Sequence, residues 1–172
     1  MLLRRPSAMS RPCASPYQGA TLDLTNGNLS QQYQGPTVKS AFGLTLNFWL
    51  TYNSYNADGS RAQIDSGLGY GWTHTYNIFL FNQLGNMFRM DGQGRVTKYQ
   101  YQAGSGGTFV STTGYFEILQ SLGSGVFQLR QKDGTVFKFG PIPNTPFLVG
   151  GPVYRVTSST DRNGNTTNFT YT

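Results

Sequence analysis

The chain has 172 residues, of which 15% are aromatic, 22 are glycine and only 12% are charged, with a formal net charge of +6. Long solvated helices need more charge than this, so the composition argues against a helical protein and favours strands joined by tight turns. Apart from Arg4, Arg5 and Arg11 the cations are scattered singly, which excludes the continuous basic stripe of a nucleic-acid-binding protein.

Residues 1–20 are predicted to form a disordered tail ahead of the folded part. They contain Pro, Ser and Arg but lack the run of about 7–15 apolar residues that a secretory signal needs. No other stretch approaches the roughly 18 consecutive apolar residues of a membrane span. Cys13 is the single cysteine, which excludes an internal disulfide, and we predict neither a metal site nor another cofactor.

Two long runs of alternating apolar and polar residues predict the first central strands. The first run is FGLTLNFWLTY from Phe42, and the second extends from Trp72 to Leu80. Phe79 and Phe81 lie opposite the apolar face of the second run, so we expect its end to be covered on both sides. The residues expected in the core are Phe42, Leu44, Leu46, Phe48, Leu50, Trp72, Tyr76, Ile78 and Leu80.

Shorter alternating runs continue to the end of the sequence, separated by turn signals. Asp-Gly pairs begin at residues 58, 91 and 133, and Asn-Gly pairs begin at residues 26 and 163. The proline-rich segment 140–152 is typical of a connector, because proline cannot donate to a sheet ladder. The predicted fold is all-β: an antiparallel sheet of successive hairpins with no helix longer than two turns. We assign residues 21–150 to one β domain and residues 151–172 to a final hairpin unit.

An internal repeat is visible in the sequence. DGQGRVTKYQY at 91–101 and DRNGNTTNFTY at 161–171 share the pattern D-x-x-G-x-x-T-x-(Y/F)-x-Y. Aspartate can bond the turn backbone, glycine permits positive φ, and the alternating residues form a strand face. The structural residues that define the two copies are Asp91, Gly94, Tyr99, Tyr101, Asp161, Gly164, Phe169 and Tyr171.

The segment YRVTSSTDRNGNTTNFTYT resembles one unit of the RHS/YD-repeat proteins. LTYNSYNADGS followed by GLGYGWTHTYNIFL resembles the amino-terminal segment of that family, and VFQLRQKDGTVFKFG resembles the strand pair before its first repeat. The resemblance spans residues 21–172, with Thr172 at the place of the family's usual aspartate. It implies hairpins that add successively into a shell-like β-sheet, of which this chain is a first part with a single truncated repeat.

The resemblance also implies a function. Such shells enclose a toxin for delivery or serve in surface display and adhesion, so we expect a structural module that is secreted or located at the cell surface. The expected partners are further repeats or another chain at the carboxy-terminal edge strand, and a toxin domain or a cell-surface glycan. We expect that edge strand, residues 165–171, to promote self-association, because it carries no charge or proline to discourage pairing.

Catalysis is not predicted. The carboxylates outside turn signals form no pair in a short motif, and His74, the single histidine, is more typical of a packed strand residue than of a catalytic base. A carbohydrate-binding β-domain remains the alternative, since exposed aromatic side chains contact sugars. The candidate glycan-contacting residues are Trp49, Trp72 and Tyr76, and exposure of Trp49 distinguishes this alternative from a buried structural role.

Overall fold

The structure, a computed structural model, describes residues 20–25, 27–39, 45–57, 67–112, 116–142 and 152–171. Thirteen strands, all paired antiparallel, and one helix of four residues make up the regular structure in these ranges. The predicted all-β fold without a long helix is therefore confirmed for the described part of the chain. The predicted disordered tail lies outside the described residues, except for Ala20.

The chain divides into two compact units. The first comprises residues 1–76 together with 92–94, and the second comprises residues 77–91 and 95–172. The division at residue 76 falls inside the 21–150 segment that we assigned to one domain from the sequence.

The first unit contains a four-stranded sheet in the order β1-β2-β3-β4. Its strands are β1 (Thr21–Asp23), β2 (Asn28–Lys39), β3 (Thr45–Asn53) and β4 (Trp72–His74), and the short helix α1 (Ser54–Ala57) follows β3. The β2–β3 register shifts between Gln34 and Thr37, which bends the longest strand of the unit.

The predicted core is wrong for this sheet. Phe42 and Leu44 lie outside the described residues, and the other apolar positions of the two long runs are only half-buried, namely Leu46, Phe48, Leu50, Trp72 and Tyr76. On the opposite face, Thr51 and Thr73 form a cross-strand pair and are 4% and 1% exposed. The face with small polar side chains is thus the more deeply buried one.

Close backbone approach explains this inversion. A Cβ atom at Gly92 would lie 2.3 Å from the carbonyl oxygen of Thr75, and one at Gly94 would lie 2.3 Å from Asn56 Nδ2. The Asn56 side chain donates a hydrogen bond to the Gly94 carbonyl oxygen at 2.8 Å. A Cβ atom at Gly94 would also lie 3.7 Å from Thr73 Cγ2, so the turn at 92–94 covers the threonine face. The alternation therefore identified the two faces correctly but not which of them is more deeply covered.

The second unit contains the remaining nine strands in one sheet. These strands are β5 (Phe79–Gln83), β6 (Asn86–Met90), β7 (Val96–Tyr101), β8 (Thr108–Ser111), β9 (Ile118–Gly123), β10 (Val126–Arg130), β11 (Val136–Pro141), β12 (Val153–Thr160) and β13 (Thr166–Asn168). Strands β5 to β11 form a meander, β12 pairs with both β11 and β5, and these eight strands form a closed ring. Two strands share one edge of β12. Its first part, Val153–Arg155, pairs with β5, and its last part, Ser158–Thr160, pairs with β13.

The interior of this ring holds the hydrophobic core. The buried cluster comprises Leu80, Met87, Tyr99, Leu119, Phe127, Leu129, Phe139 and Val156. Leu80 is thus buried as expected, and Ile78 is half-buried against the same cluster. Phe79 and Phe81 on the opposite face of β5 are 0% and 6% exposed, which confirms the expectation that this strand is covered on both sides.

Candidate functional site

The two predicted repeat turns have the same hydrogen-bonded geometry. The backbone N–H of Asp91 donates to the carbonyl of Arg95 at 3.0 Å, and that of Asp161 donates to the carbonyl of Asn165 at 2.9 Å. In each copy the aspartate Oδ1 accepts the backbone N–H four residues later, at 3.0 and 2.9 Å. Gly94 and Gly164 have φ values of 79° and 87°, a left-handed conformation in which glycine avoids the Cβ penalty.

A third copy of this turn was not predicted. The backbone N–H of Gln131 donates to the carbonyl of Thr135 at 2.9 Å, and Gly134 has a φ of 89°. The first position here is glutamine, so the D-x-x-G pattern misses it, although the Asp133-Gly134 pair signals a hairpin. Three hairpins of the nine-stranded sheet thus share one turn type, a three-residue loop with a left-handed glycine at its end.

The strands after the two predicted turns differ in their packing. Tyr99 is fully buried, whereas its counterpart Phe169 is half-buried against the same core. Tyr101 is 53% exposed, whereas its counterpart Tyr171 donates a hydrogen bond from its hydroxyl to the carbonyl of Val156 at 2.7 Å. The strand β13 is also only three residues long, shorter than the predicted 165–171.

Tyr171 holds the carboxy-terminal segment onto β12. The Arg155 guanidinium lies 5.3 Å from the centroid of the Tyr171 ring and donates to Asn77 Oδ1 at 3.2 Å. The backbone N–H of Phe169 donates to the carbonyl of Thr157 at 2.9 Å, which continues the β12–β13 ladder. Burial raises the pKa of Tyr171 against the opposing effect of Arg155, so the phenol stays protonated and able to donate.

We expect Tyr171→Phe to lower the free energy of unfolding by about 1 kcal/mol, the net value of one hydrogen bond. The ring and its contact with Arg155 remain in this variant, so the loss reports the hydroxyl alone. Urea unfolding followed by tryptophan fluorescence measures it. Tyr101→Phe, at the exposed counterpart of Tyr171, is the matched control and should leave the free energy of unfolding unchanged. Equal losses of this free energy in both variants would contradict the stabilising role of the Tyr171 hydroxyl.

A buried polar cluster lies inside the ring. Arg89 Nη1 donates to Glu117 Oε1 at 3.1 Å, with both side chains less than 10% exposed. Gln131 Nε2 donates to the same oxygen at 3.0 Å, and the hydroxyl of Tyr99 donates to Glu117 Oε2. Glu117 thus connects β6, β7 and the residue after β10 through one carboxylate. Arg89 Nε is buried without a hydrogen-bond partner among the described residues.

The contacts in this cluster keep Glu117 ionised and Tyr99 protonated. Burial alone would raise the pKa of Glu117, but the hydrogen bonds from Tyr99 and Gln131 and the Arg89 guanidinium together hold it below the ordinary value. Burial raises the pKa of Tyr99 strongly. The single glutamate ahead of an apolar strand is a weak signal in the sequence, but no pattern there pairs Glu117 with Arg89.

We expect acid to weaken the fold through Glu117. A carboxylate whose pKa is lower in the folded state stabilises that state fully above its unfolded pKa, and this contribution is lost as the pH falls through the folded value. The urea midpoint should therefore change little from pH 7 to about pH 5 and fall below about pH 4, given an unfolded glutamate pKa of roughly 4.3. Glu117→Gln should flatten this acid dependence; an unchanged slope would contradict the assignment.

The predicted glycan-contacting residues do not form one surface. Trp72 and Tyr76 lie on the aromatic face of the first sheet, where the Trp72 ring is 5.6 Å from that of Tyr33 and 5.2 Å from that of Tyr52. Trp49 lies on the opposite face and is half-buried. Tyr52 is the residue of β3 that pairs with Trp72, and Trp49 lies opposite the apolar face of its strand, as the alternation predicted. Glycan contact by Trp49, Trp72 and Tyr76 stays a prediction.

His74 is packed in the aromatic face. Its ring stacks on Phe48 at 5.2 Å, and its Nδ1 accepts the backbone N–H of Tyr76 at 3.3 Å. In the ranges that the structure describes, no three metal-ligating side chains come together. No helix in the same ranges is long and apolar enough to cross a membrane.

Part of the chain matches a known family model. Residues 19–99 match the model of a domain of unknown function, DUF6531, which covers slightly less than half of the 172 residues. The matched segment includes the whole first sheet and, in the second unit, strands β5 and β6 and part of β7. No curated protein matches the chain. The chain is thus similar over residues 19–99 to DUF6531, a domain without an assigned activity.

Proposed function

We propose that this chain is a non-catalytic structural module of the RHS/YD-repeat type, which contributes to a β-shell for toxin encapsulation and delivery or for surface display. In this proposal the chain is secreted or exposed at the cell surface. Further repeats extend the sheet from β13, and a toxin domain is the cargo. The observation that carries the proposal is the repeated turn: three hairpins share one hydrogen-bonded geometry, and the last of them supplies the terminal strand of the sheet in the described part of the chain.

The carboxy-terminal hairpin supports this proposal in a second way. β13 pairs with β12 and is the terminal strand of the sheet in the described part of the chain. The N–H of Phe169 points to β12, so by alternation the N–H groups of Thr166 and Asn168 point away from it. Thr166 and Asn168 are exposed and uncharged, and such an edge accepts another strand.

Extension of the chain tests the proposal. A variant followed by a copy of residues 152–171 should unfold at higher temperature than the parent, because the added hairpin pairs with the free edge. Asn168→Lys in the extended chain is the matched control, since it places a charge on the edge without removing a ladder hydrogen bond. Calorimetry and light scattering provide the readouts. An extended chain no more stable than the parent would count against a repeat module.

Carbohydrate binding is a second candidate, favoured by the position of Trp72 between Tyr33 and Tyr52 on a half-exposed aromatic face. Aromatic rings of this kind present flat apolar surface beside polar tips. Titration with soluble oligosaccharides, followed by tryptophan fluorescence, tests it. Binding that survives Trp49→Phe but not Trp72→Ala would support this candidate, and binding lost equally in both would reject the aromatic face as the site.

A further inference from the structure

The outer face of β9, β10 and β11 carries cations that are not paired with acids. The apolar core residues of these strands point into the ring, so alternation places Arg130 and Lys138 on the outside, where both are exposed. Lys132, just after β10, is also exposed, and its Nζ lies 5.3 Å from the centroid of the Phe116 ring. None of these three cations forms an ion pair with another described residue. Their charges are therefore available to a partner.

The acidic side chains of this region have other roles. Strands β9 to β12 contain no Asp or Glu. Glu117 is buried and pairs with Arg89 inside the ring. Asp133 and Asp161 lie in turns, where Oδ1 of each accepts backbone N–H groups of its own turn. The outer face of these strands is therefore positively charged.

Neutral hydrogen-bonding side chains lie beside these cations. One row of cross-strand pairs runs over β9 to β12 in the order Gln120, Gln128, Lys138 and Ser158. Arg130 follows Gln128 by two residues, so it is the diagonal neighbour of Lys138, roughly 7–8 Å away at the backbone. Ile118, which pairs with Arg130, is 51% exposed. The centre of the outer face thus combines two cations with amide groups, a hydroxyl group and one apolar side chain.

We infer that this outer face binds an acidic polysaccharide, a polymer whose sugars carry carboxylates. The carboxylates of such a polymer match Arg130 and Lys138, and its hydroxyl groups match the amides and the hydroxyl of the neutral row. The +6 net charge of the chain attracts a polyanion over a distance. The inference does not rest on the proposed shell function, and the site lies on a different sheet from the aromatic face around Trp72.

Two other classes of acidic partner fit the outer face less well. Nucleic acid is matched by a continuous basic stripe, whereas here the cations lie next to a row of neutral side chains. A folded acidic protein needs a more apolar centre to its interface than one exposed isoleucine provides. The mixture of cations, amides and a hydroxyl therefore favours a polymer that is both anionic and rich in hydroxyl groups.

Calorimetric titration of the 172-residue chain with polygalacturonate tests the inference. We expect saturable binding that weakens as salt is raised, because exposed ion pairs are screened. Methyl-esterified polygalacturonate, which has the same sugars without the charges, should bind about tenfold more weakly or less. The double variant Arg130→Gln with Lys138→Gln should raise the dissociation constant for polygalacturonate about tenfold through two lost ion pairs. Its urea midpoint should match that of the parent, because both side chains are exposed.

The matched control is Lys39→Gln at the end of β2, compared with the single variant Lys138→Gln. Both variants remove one exposed cation, but Lys39 belongs to the first sheet, so its loss should leave the dissociation constant unchanged. The inference is overturned by a parent that does not bind polygalacturonate or by equal losses of affinity in these two variants. Binding of poly-glutamate or duplex DNA as tight as that of polygalacturonate would also overturn it, since the partner would then belong to another class.

Discussion

Arg89→Met should lower the free energy of unfolding by about 3–5 kcal/mol, the range for removing one partner of a buried ion pair. Methionine fills most of the volume of the arginine stem, so packing contributes little to this loss. The loss arises because the carboxylate of Glu117 stays inside the ring without its cation, 8% exposed at the side chain. Chemical denaturation at pH 7 measures it.

The double variant Arg89→Met with Glu117→Gln is the control. The glutamine keeps one oxygen that can accept the hydrogen bond of Gln131, its amide N–H can donate to the hydroxyl oxygen of Tyr99, and no charge remains buried. We expect it to recover most of the stability, since neutral replacement of a buried pair is often tolerated. A double variant as unstable as the single one would show that the loss comes from packing and not from the unpaired charge.

Leu129→Ala should cost about 2–5 kcal/mol, because Leu129 is fully buried in the centre of the ring and its removal leaves a cavity. Leu46→Ala, at a position that the sequence placed in the core, should cost only about 1 kcal/mol, since this side chain is half-buried. Denaturation of both variants under the same conditions compares the two sites. A larger loss for Leu46→Ala would restore the original core prediction.

The sequence predicted the features that depend on neighbouring residues. Alternation located most strands, and the aspartate and glycine of D-x-x-G located the turns at 91–95 and 161–165. The turns at Leu84-Gly85 and Ser124-Gly125 were not predicted from the sequence. Leucine and serine rarely adopt positive φ, so in each pair only the glycine at the second position indicates a turn.

Features that depend on distant residues were not predicted. Ring closure pairs Val153 with Phe81, and no local pattern encodes a contact between strands so far apart. For the same reason the buried polar cluster was not predicted, because Glu117 and Arg89 are 28 positions apart in the sequence. Likewise, alternation in β3 could not reveal that the Thr51 face would be the more deeply covered one.

Ring closure also orders events during synthesis. Phe79 and Leu80 in β5 pair with Arg155 and Tyr154, so β5 lacks this partner until the ribosome has added more than 70 further residues. Meanwhile the growing meander exposes the edges of β5 and of its newest strand, and exposed edges are prone to aggregation. Long-range pairing of this kind is slow. A nascent chain halted before residue 152 should therefore depend on chaperones, and release of β12 should be the step that ends this dependence.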